Sequence, residues 1–229
     1  MYLSIDQSTS SSTIFLYNKK FKLISKYSKP HKQIQKSYGY VEHDANEIIS
    51  NIFFLVRKIS KKIKFEKDLF LSITNQRETF VIFDKNSGKP LHNAIVWQCR
   101  RGQKVCDKIN KSIKNKKLIK KKTGLTLDTY FPASKLIELL KTNKKIKDKL
   151  KRGTALFGTI DTYLIYQLTN QKIYTTDYTN ASRTLFFDNS SLCWSKDLLK
   201  LFNLNFKILP EVRESSSIFG YTNFNGLLK

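Results

Sequence analysis

A polar string at residues 74–79, Thr-Asn-Gln-Arg-Glu-Thr, directly follows an apolar stretch of the chain. A guanidinium beside a carboxylate at the carboxyl end of a strand can exchange hydrogen bonds with the vicinal hydroxyls of a small polyol. Arg77 and Glu78 are therefore candidate binding residues, and Trp97 and Tyr130 can cover the carbon side of such a ligand. A structural Arg–Glu pair and two core aromatics are the commoner explanation, so position alone leaves both interpretations open.

A second polar stretch, residues 6–13, lies between two apolar stretches and reads Asp-Gln-Ser-Thr-Ser-Ser-Ser-Thr. A hairpin turn of small hydroxyl residues can aim backbone N–H groups and hydroxyls at phosphate oxygens. A carboxylate at its entry, here Asp6, can hold Mg²⁺ through water. A Ser/Thr-rich turn between strands is usually only a turn, so composition by itself favours the structural interpretation.

Other chemistries are disfavoured by missing patterns. The chain has no G-x-x-x-x-G-K-[ST] string and no G-x-G-x-x-G string, so neither common phosphate-loop motif is present. His92, Cys99 and Cys106 lack the spacing of zinc ligands. The three histidines are far apart in sequence, and they provide no Ser–His or Cys–His nucleophile pair.

The elements that must position these strings follow from the hydrophobic periodicity. Residues 1–27 alternate like an antiparallel meander of three strands, with the hydroxyl-rich stretch as the first turn. Asp44 and Glu47 predict a capping box that begins a helix over residues 45–62. Further predicted elements are a short buried strand at 69–73, strands at 80–83 and 94–97, and a hairpin-type turn at 84–88.

The second half of the chain has mainly helical periodicity. Residues 101–150 are predicted to be helical, with breaks at 123–124 and 128–132. A helix is predicted at 161–168, a strand at 172–176 and a short helix at 198–202. Because no repeat or low-complexity linker interrupts the chain, the sequence predicts one continuous α/β unit.

The charge of the chain is large and consists mainly of lysine. Its 229 residues contain 42 Lys+Arg against 18 Asp+Glu, a formal net charge of +24, while a 40% hydrophobic content excludes a disordered basic tail. Only 7 of the cations are Arg. Since Arg supplies the planar fork that phosphate and base contacts favour, nucleic acid is disfavoured as a partner. The lysine-rich residues 111–122 are interpreted as the solvated face of a helix.

Cysteine content and apolar runs predict the compartment. Three Cys are too few, and odd in number, for a disulfide framework, which predicts a reducing, cytoplasmic location. No apolar run approaches the roughly 20 residues that span a bilayer, and the N-terminus lacks the pattern of a secretory signal. We therefore expect no membrane span.

Seven strings resemble, in residue type, order and spacing, the glycerol kinase branch of the FGGY carbohydrate kinase family. They are residues 5–12, 39–44, 73–79, 93–101, 123–125 with 130–131, 157–162 and 176–184. The resemblance runs from Leu3 to about Asn223 and so covers nearly the whole chain. The Asn-Gln-Arg-Glu-Thr block resembles the glycerol branch rather than the pentulose or gluconate branches.

The resemblance implies an α/β, actin-like and ribonuclease-H-like ATPase fold in two domains, with ATP and substrate in the cleft between them. It implies that the γ-phosphoryl group of ATP moves to a terminal hydroxyl of glycerol, giving sn-glycerol 3-phosphate with the help of Mg²⁺. The residues that it assigns to ATP phosphates are Thr9, Ser10 and Ser11, with Asp6 near Mg²⁺. Those that it assigns to glycerol are Arg77, Glu78 and Tyr130 for the hydroxyls and Trp97 for the carbon face.

Three departures from the family pattern qualify this expectation. Ser8 stands where the family has Gly and Thr13 where it has Arg, so the turn loses backbone freedom and a phosphate-binding cation. The family's catalytic Asp lies in a Gly-Asp-Gln string, and no Gly-Asp occurs in these residues. The resemblance therefore predicts that residues 1–229 are the N-terminal domain, that the catalytic Asp lies beyond Lys229, and that the second, C-terminal domain is absent.

Three hypotheses about function follow. The leading one is a glycerol kinase-like half that is weakly active or inactive alone, since loss of a general base costs about 10² to 10⁴-fold in rate. A separately encoded C-terminal domain is then a candidate partner, and a homo-oligomer is left open. The alternatives are a non-catalytic basic binding module on a relic kinase fold, with steeply salt-dependent binding, and a sibling polyol or sugar kinase.

Overall fold

The structure is a computed structural model that describes residues 1–63 and 69–228. Its strands are β1 (Tyr2–Gln7), β2 (Ser11–Tyr17), β3 (Leu23–Pro30), β4 (Gln33–Ser37), β5 (Tyr40–His43), β6 (Phe70–Asn75), β7 (Phe80–Asp84), β8 (Ala94–Ile95), β9 (Ala155–Thr159), β10 (Thr175–Asp177), β11 (Phe187–Asp188), β12 (Cys193–Trp194) and β13 (Glu211–Arg213). Its helices are α1 (Ala45–Ser60), α2 (Gln103–Asn110), α3 (Ile113–Thr123), α4 (Pro132–Thr142), α5 (Lys144–Arg152), α6 (Ile160–Leu168), α7 (Tyr178–Ala181) and α8 (Lys196–Phe202).

The first sheet begins with the predicted meander, which the structure confirms. β1, β2 and β3 pair antiparallel, and β6 pairs with β1 in parallel, so the strand order is β3-β2-β1-β6. Leu3 and Ile5 on β1 and Ile14 and Leu16 on β2 are buried on one face, as the alternation predicts. The carboxyl ends of β1 and β6 therefore lie side by side, and the strings at residues 6–13 and 74–79 meet there.

Helix α1 covers the buried face of this sheet. It begins at Ala45 and ends at Ser60, close to the predicted bounds, and packs against β2 and β3. The Asp44 carboxylate accepts the backbone N–H of Asn46, and Glu47 accepts the N–H of Lys32. The helix prediction is confirmed, but the capping box is wrong in its contacts, because Glu47 accepts the N–H of Lys32, between β3 and β4, rather than that of Asp44.

A second sheet, with order β4-β5-β8-β7-β9, lies against the first. Its central strand β7 is covered on both faces. Val81 and Phe83 pack into the cluster beneath the first sheet and α6, while Phe80 and Ile82 pack into the cluster that includes residues of α2 to α5. A strand that is covered on both faces has a continuous apolar sequence, as residues 80–83 do.

Four predicted elements differ from the structure. The strand predicted as buried at 69–73 is β6, an edge strand whose Phe70 is 61% exposed, because no described strand pairs with its outer edge. The helical region 101–150 has two further breaks, where the side chains of Ser112 and Asn143 cap the N-termini of α3 and α5. Residues 94–97 and 172–176 form shorter strands than predicted, β8 and β10.

In the part of the chain that the structure describes, no helix is long and apolar enough to cross a membrane.

Candidate functional site

The turn between β1 and β2 is closed by hydrogen bonds between Ser8 and Ser11. The Ser8 N–H donates to the Ser11 carbonyl at 2.9 Å, and the Ser8 hydroxyl donates to the same oxygen at 3.0 Å. Ser8 is not among the residues with positive φ, so serine fits where the family has glycine. Within the described chain, the N–H groups of Thr9 and Ser10 at the tip have no hydrogen-bond partner, so they are available to phosphate oxygens.

The Thr9 and Ser10 backbone is held from behind. His31 bonds the Thr9 carbonyl through Nε2 at 2.9 Å, and its own N–H donates to the Ser10 carbonyl at 3.2 Å. Thr13, which replaces the family's arginine, shares a hydrogen bond with the Ser28 hydroxyl and so is used within the sheet. The turn is therefore ordered by its own chain without a cation at that position.

Asp6 is a half-buried residue at the end of β1, directly opposite Thr13. Its carboxylate makes no hydrogen bond or ion pair with any described residue. The described residues contain no group of three or more His, Cys, Asp or Glu side chains that could hold a metal ion. A single free carboxylate fits Mg²⁺ bound through water and substrate phosphates, which is the usual mode for this ion, rather than a protein cage.

Arg77 and Glu78 lie in the tight turn between β6 and β7. Glu78 has φ of 65°, a conformation that non-glycine residues adopt rarely and that costs of order 1–3 kcal/mol, and its side chain is buried. Arg77 is exposed and forms no ion pair with Glu78 or with any other described residue. The structural Arg–Glu pair considered above therefore does not form between these two neighbours.

Glu78 pairs instead with Arg183, a residue that the sequence reasoning did not assign to the site. The Arg183 Nε donates to Glu78 Oε1 at 2.5 Å. The guanidinium also lies over the rings of Tyr130, at 5.7 Å, and Phe131, at 4.9 Å. Arg183 belongs to the string at residues 176–184, and this was the signal available in the sequence.

Trp97 and Tyr130 form an aromatic wall beside this pair. Their ring centroids are 5.4 Å apart with a 55° tilt, and both side chains are partly exposed. The Trp97 indole N–H donates to the Thr9 hydroxyl at 3.0 Å, which links the wall to the turn between β1 and β2. The predicted aromatic cover and the predicted phosphate turn thus lie in direct contact.

A buried polar network beneath the site was also missed. Gln76 donates to the Gln7 side chain at 3.0 Å, lies 3.2 Å from His43 Nδ1, and accepts the Thr79 hydroxyl at 3.0 Å. The Thr79 hydroxyl oxygen in turn accepts the Trp97 backbone N–H. Burial, with the neighbouring His31 ring, lowers the pKa of His43 to about 4, so the imidazole is neutral at pH 7.

Four of the eight sequence-predicted site residues are linked to one another at one end of β1 and β6. Hydrogen bonds and ring contacts link Thr9, Trp97, Tyr130 and, through Arg183, Glu78. In the described chain, no side-chain hydrogen bond, ion pair or ring contact joins Asp6, Ser10, Ser11 or Arg77 to that group. A groove of about 1110 Å³ along β6, α6 and residues 215–228 is lined by none of the predicted residues.

Comparison with known proteins decides the family. The N-terminal domain of the FGGY family of carbohydrate kinases matches residues 1–227 of the chain. The chain belongs to this FGGY family. Its fold is the α/β, actin-like fold of the FGGY N-terminal domain, so the fold that the resemblance implied is confirmed.

The FGGY relatives include glycerol kinases. Glycerol kinase 1 of Thermotoga maritima is 42% identical over 229 residues, which cover 99% of this chain and 46% of that protein. Glycerol kinase of Francisella philomiragia is 44% identical over 223 residues, with 96% and 45% covered. The chain spans about half the length of the curated relatives it matches.

Solved structures lead to the same family. The crystal structure of Plasmodium falciparum glycerol kinase with ADP superposes with a TM-score of 0.93 at 38% identity, over 99% of this chain and 46% of that one. Gluconate kinase of Lactobacillus acidophilus has a TM-score of 0.87 at 20% identity, which shows the shared FGGY fold alone. This FGGY chain is therefore related to glycerol kinases, and its relatives include a nucleotide-bound structure.

Proposed function

We propose that this chain supplies the glycerol site and the phosphate-binding turn of an ATP-dependent glycerol kinase. The supporting observation is the strained Glu78, held by Arg183 beside the Trp97–Tyr130 wall, with the unpaired Arg77 next to it. Glu78 accepts a hydrogen bond from one glycerol hydroxyl, and Arg77 donates a hydrogen bond to the neighbouring one. Tyr130 contributes its hydroxyl, and the Trp97 indole covers the carbon chain.

In this proposal, the turn of Thr9, Ser10 and Ser11 binds ATP phosphates through free N–H groups and hydroxyls. Asp6 holds Mg²⁺ through water, and the ion neutralises phosphate charge when it is bound. The Trp97–Thr9 hydrogen bond sets the distance between the substrate wall and the turn, which favours alignment of a terminal hydroxyl with the γ-phosphorus. The product is sn-glycerol 3-phosphate.

The general base comes from outside the described residues in this proposal. Near the aromatic wall, the Glu78 carboxylate is paired with Arg183, and the Asp128 carboxylate accepts the Tyr130 backbone N–H at 2.6 Å. Because Arg183 neutralises Glu78, we assign Glu78 to glycerol binding, and we assign Asp128 to the Tyr130 backbone. We therefore assign binding and positioning, but no proton transfer, to residues 1–229, which we treat as one FGGY N-terminal domain.

The partner that completes the site is a C-terminal FGGY domain. Three features support it: an uncovered aromatic cluster on the first sheet, the outer edge of β6, and a buried acceptor in the groove beside that edge. Phe21 and Phe70 are 68% and 61% exposed and stack on either side of Tyr2. Asp161 Oδ1 is buried without a described donor. Apolar surface and unpaired strand edges of this kind favour contact with another polypeptide.

Glycerol binding by this chain alone tests the proposal. Calorimetric titration of the wild type should give saturable binding, and Arg77→Ala should weaken it about tenfold or more, as expected for the loss of a charged hydrogen bond. Arg57→Ala, an exposed arginine on α1, is the matched control and should bind as the wild type does. The usual KM range is about 1 μM to 1 mM. If glycerol does not bind even at concentrations far above this range, the glycerol site is contradicted.

Complementation tests the partner separately. Mixing the chain with a C-terminal half of Thermotoga maritima glycerol kinase 1 should produce glycerol-dependent ADP formation. Glycerol binding without activity in the mixture would refute this complementation and leave the glycerol site standing. A substrate panel in the same mixture separates glycerol from other polyols and sugars.

A further inference from the structure

Lys135 is a fully buried lysine that the proposed chemistry does not use. It lies in the first turn of α4 and has 0% exposure, although lysine is almost never fully buried. A cation at a helix N-terminus also opposes the positive end of the helix dipole. Two unfavourable placements in one residue call for a specific compensating interaction.

Three backbone carbonyls provide that interaction. The Lys135 ammonium donates to the carbonyls of Val96 at 3.1 Å, Trp97 at 3.2 Å and Tyr130 at 3.0 Å. An ammonium group has three N–H donors and no acceptor, so all three are matched. Because the acceptors lie on two separate loops, one side chain ties the backbone of Trp97 to that of Tyr130.

Burial disfavours the charged form of the Lys135 amine. Burial lowers the pKa of Lys135 to about 7, and Arg101 lowers it further, while Cys99, Glu78 and Asp128 act in the opposite direction. A neutral amine has only two N–H donors, so its lone pair would face one of the three carbonyls. An apolar side chain would fill the same space but would leave all three carbonyls without this donor.

We propose that Lys135 is a positioning residue that fixes the Trp97 indole and the Tyr130 ring at the separation that encloses the substrate. The identity of the ligand, glycerol, rests on the proposed function. The positioning of the two rings by Lys135 does not. Without the ammonium, the Trp97 and Tyr130 carbonyls turn towards water, and the aromatic wall loses its spacing. The effect reaches substrate through the two rings, since Lys135 itself has no exposed surface.

The test uses Lys135→Met, which keeps the length and removes the donors, and Lys135→Arg, which keeps a charged donor. The matched control is Tyr174→Phe, because the buried Tyr174 hydroxyl also serves backbone carbonyls outside the site: its single proton lies within reach of the Phe157 and Ile208 oxygens. A Trp194→Phe background leaves Trp97 as the single tryptophan of the chain. Thermal unfolding, Trp97 emission, acrylamide quenching and glycerol affinity are measured for each variant.

We expect Lys135→Met to shift Trp97 emission to the red, to increase its quenching and to weaken glycerol binding about tenfold, equivalent to about 1.4 kcal/mol. Lys135→Arg should recover part of each change. Tyr174→Phe should lower the unfolding temperature and leave Trp97 emission and glycerol affinity unchanged. Unaltered Trp97 emission and quenching in folded Lys135→Met would overturn the proposal.

Two further readouts keep the outcomes distinct. If the wild type does not bind glycerol, the glycerol proposal fails, and Trp97 emission still decides the role of Lys135. If Lys135→Met does not fold, the Trp97 emission of the protein that retains Lys135 is measured as a function of pH between 6 and 9. It should change as the amine loses a donor near its pKa of about 7, and the change should be missing in Lys135→Arg. A titration that persists in Lys135→Arg arises from other groups and counts against the proposal.

Discussion

Arg183 holds a buried carboxylate, and its removal should destabilise the fold measurably. The Glu78 side chain is 5% exposed, the Arg183 side chain is 30% exposed, and Glu78 has no second described partner. Breaking a fully buried pair costs about 3–5 kcal/mol. Because water can reach the Arg183 side of this pair, we expect about 2 kcal/mol, plus about 0.5–1 kcal/mol for the lost ring contacts. The expected loss for Arg183→Met is therefore about 2.5–3 kcal/mol.

Urea unfolding measures this loss, with an unchanged m-value as the condition for reading it as stability. Glu78→Gln removes the charge that Arg183 neutralises, so Arg183→Met with Glu78→Gln should recover about 1 kcal/mol or more relative to Arg183→Met alone. Arg213→Met is the matched control. Its ion pair with Glu211 has a similar distance, 2.8 Å, but Glu211 is 60% exposed, so the loss should stay below about 0.5 kcal/mol.

Two results would refute this reasoning. A loss for Arg183→Met no larger than that for Arg213→Met would mean that Glu78 is adequately solvated without its partner. A double variant no more stable than Arg183→Met alone would mean that the loss comes from packing on the rings of Tyr130 and Phe131.

Three further predictions concern buried positions. Gly102→Ala should cost about 1–3 kcal/mol in urea unfolding, because a Cβ would lie 2.7 Å from the backbone carbonyl carbon of Ser134, and a normal unfolding midpoint would contradict the close approach. Burial raises the pKa of Asp161 to about 6, so the folded state loses stability as pH rises from 3.8 to 6. Asp161→Asn should therefore increase the free energy of unfolding, relative to the wild type, by up to about 3 kcal/mol more at pH 7 than at pH 4. A difference between the two proteins that stays constant with pH would refute this. For His43, with its pKa lowered to about 4, stability should instead fall by about 3 kcal/mol as pH drops from 6.5 to 4, and His43→Gln should flatten that part of the profile.

Local patterns predicted much of the fold. Alternating residues defined β1 to β3, and the apolar periodicity after Asp44 defined α1 to within two residues of its end. The capping residues Ser112 and Asn143 were visible in the sequence as helix-start signals, but the lysine-rich periodicity around them concealed two helix boundaries. The exposure of β6 was not predictable, because its apolar sequence is the same for a central strand and for an edge strand.

The candidate site divides in the same way. Residue type and order selected Arg77, Glu78, Trp97 and Tyr130, and the structure brings the last two within 5.4 Å. The partner of Glu78 is Arg183, 105 residues away along the chain. A sequence interpretation that paired Arg77 with its neighbour Glu78 was reasonable but wrong, since the turn directs these two side chains to different environments.

The α/β class, the family resemblance and the set of candidate residues follow from the amino-acid sequence alone, because these depend on local periodicity and on strings read in order. Tertiary packing was needed to show that Arg183 neutralises Glu78, that the Trp97 indole bonds Thr9, and that Lys135 lies among three carbonyls. Each of these contacts joins residues from different elements. Their existence depends on how helices and strands pack, and on burial that makes an unmatched charge or donor costly.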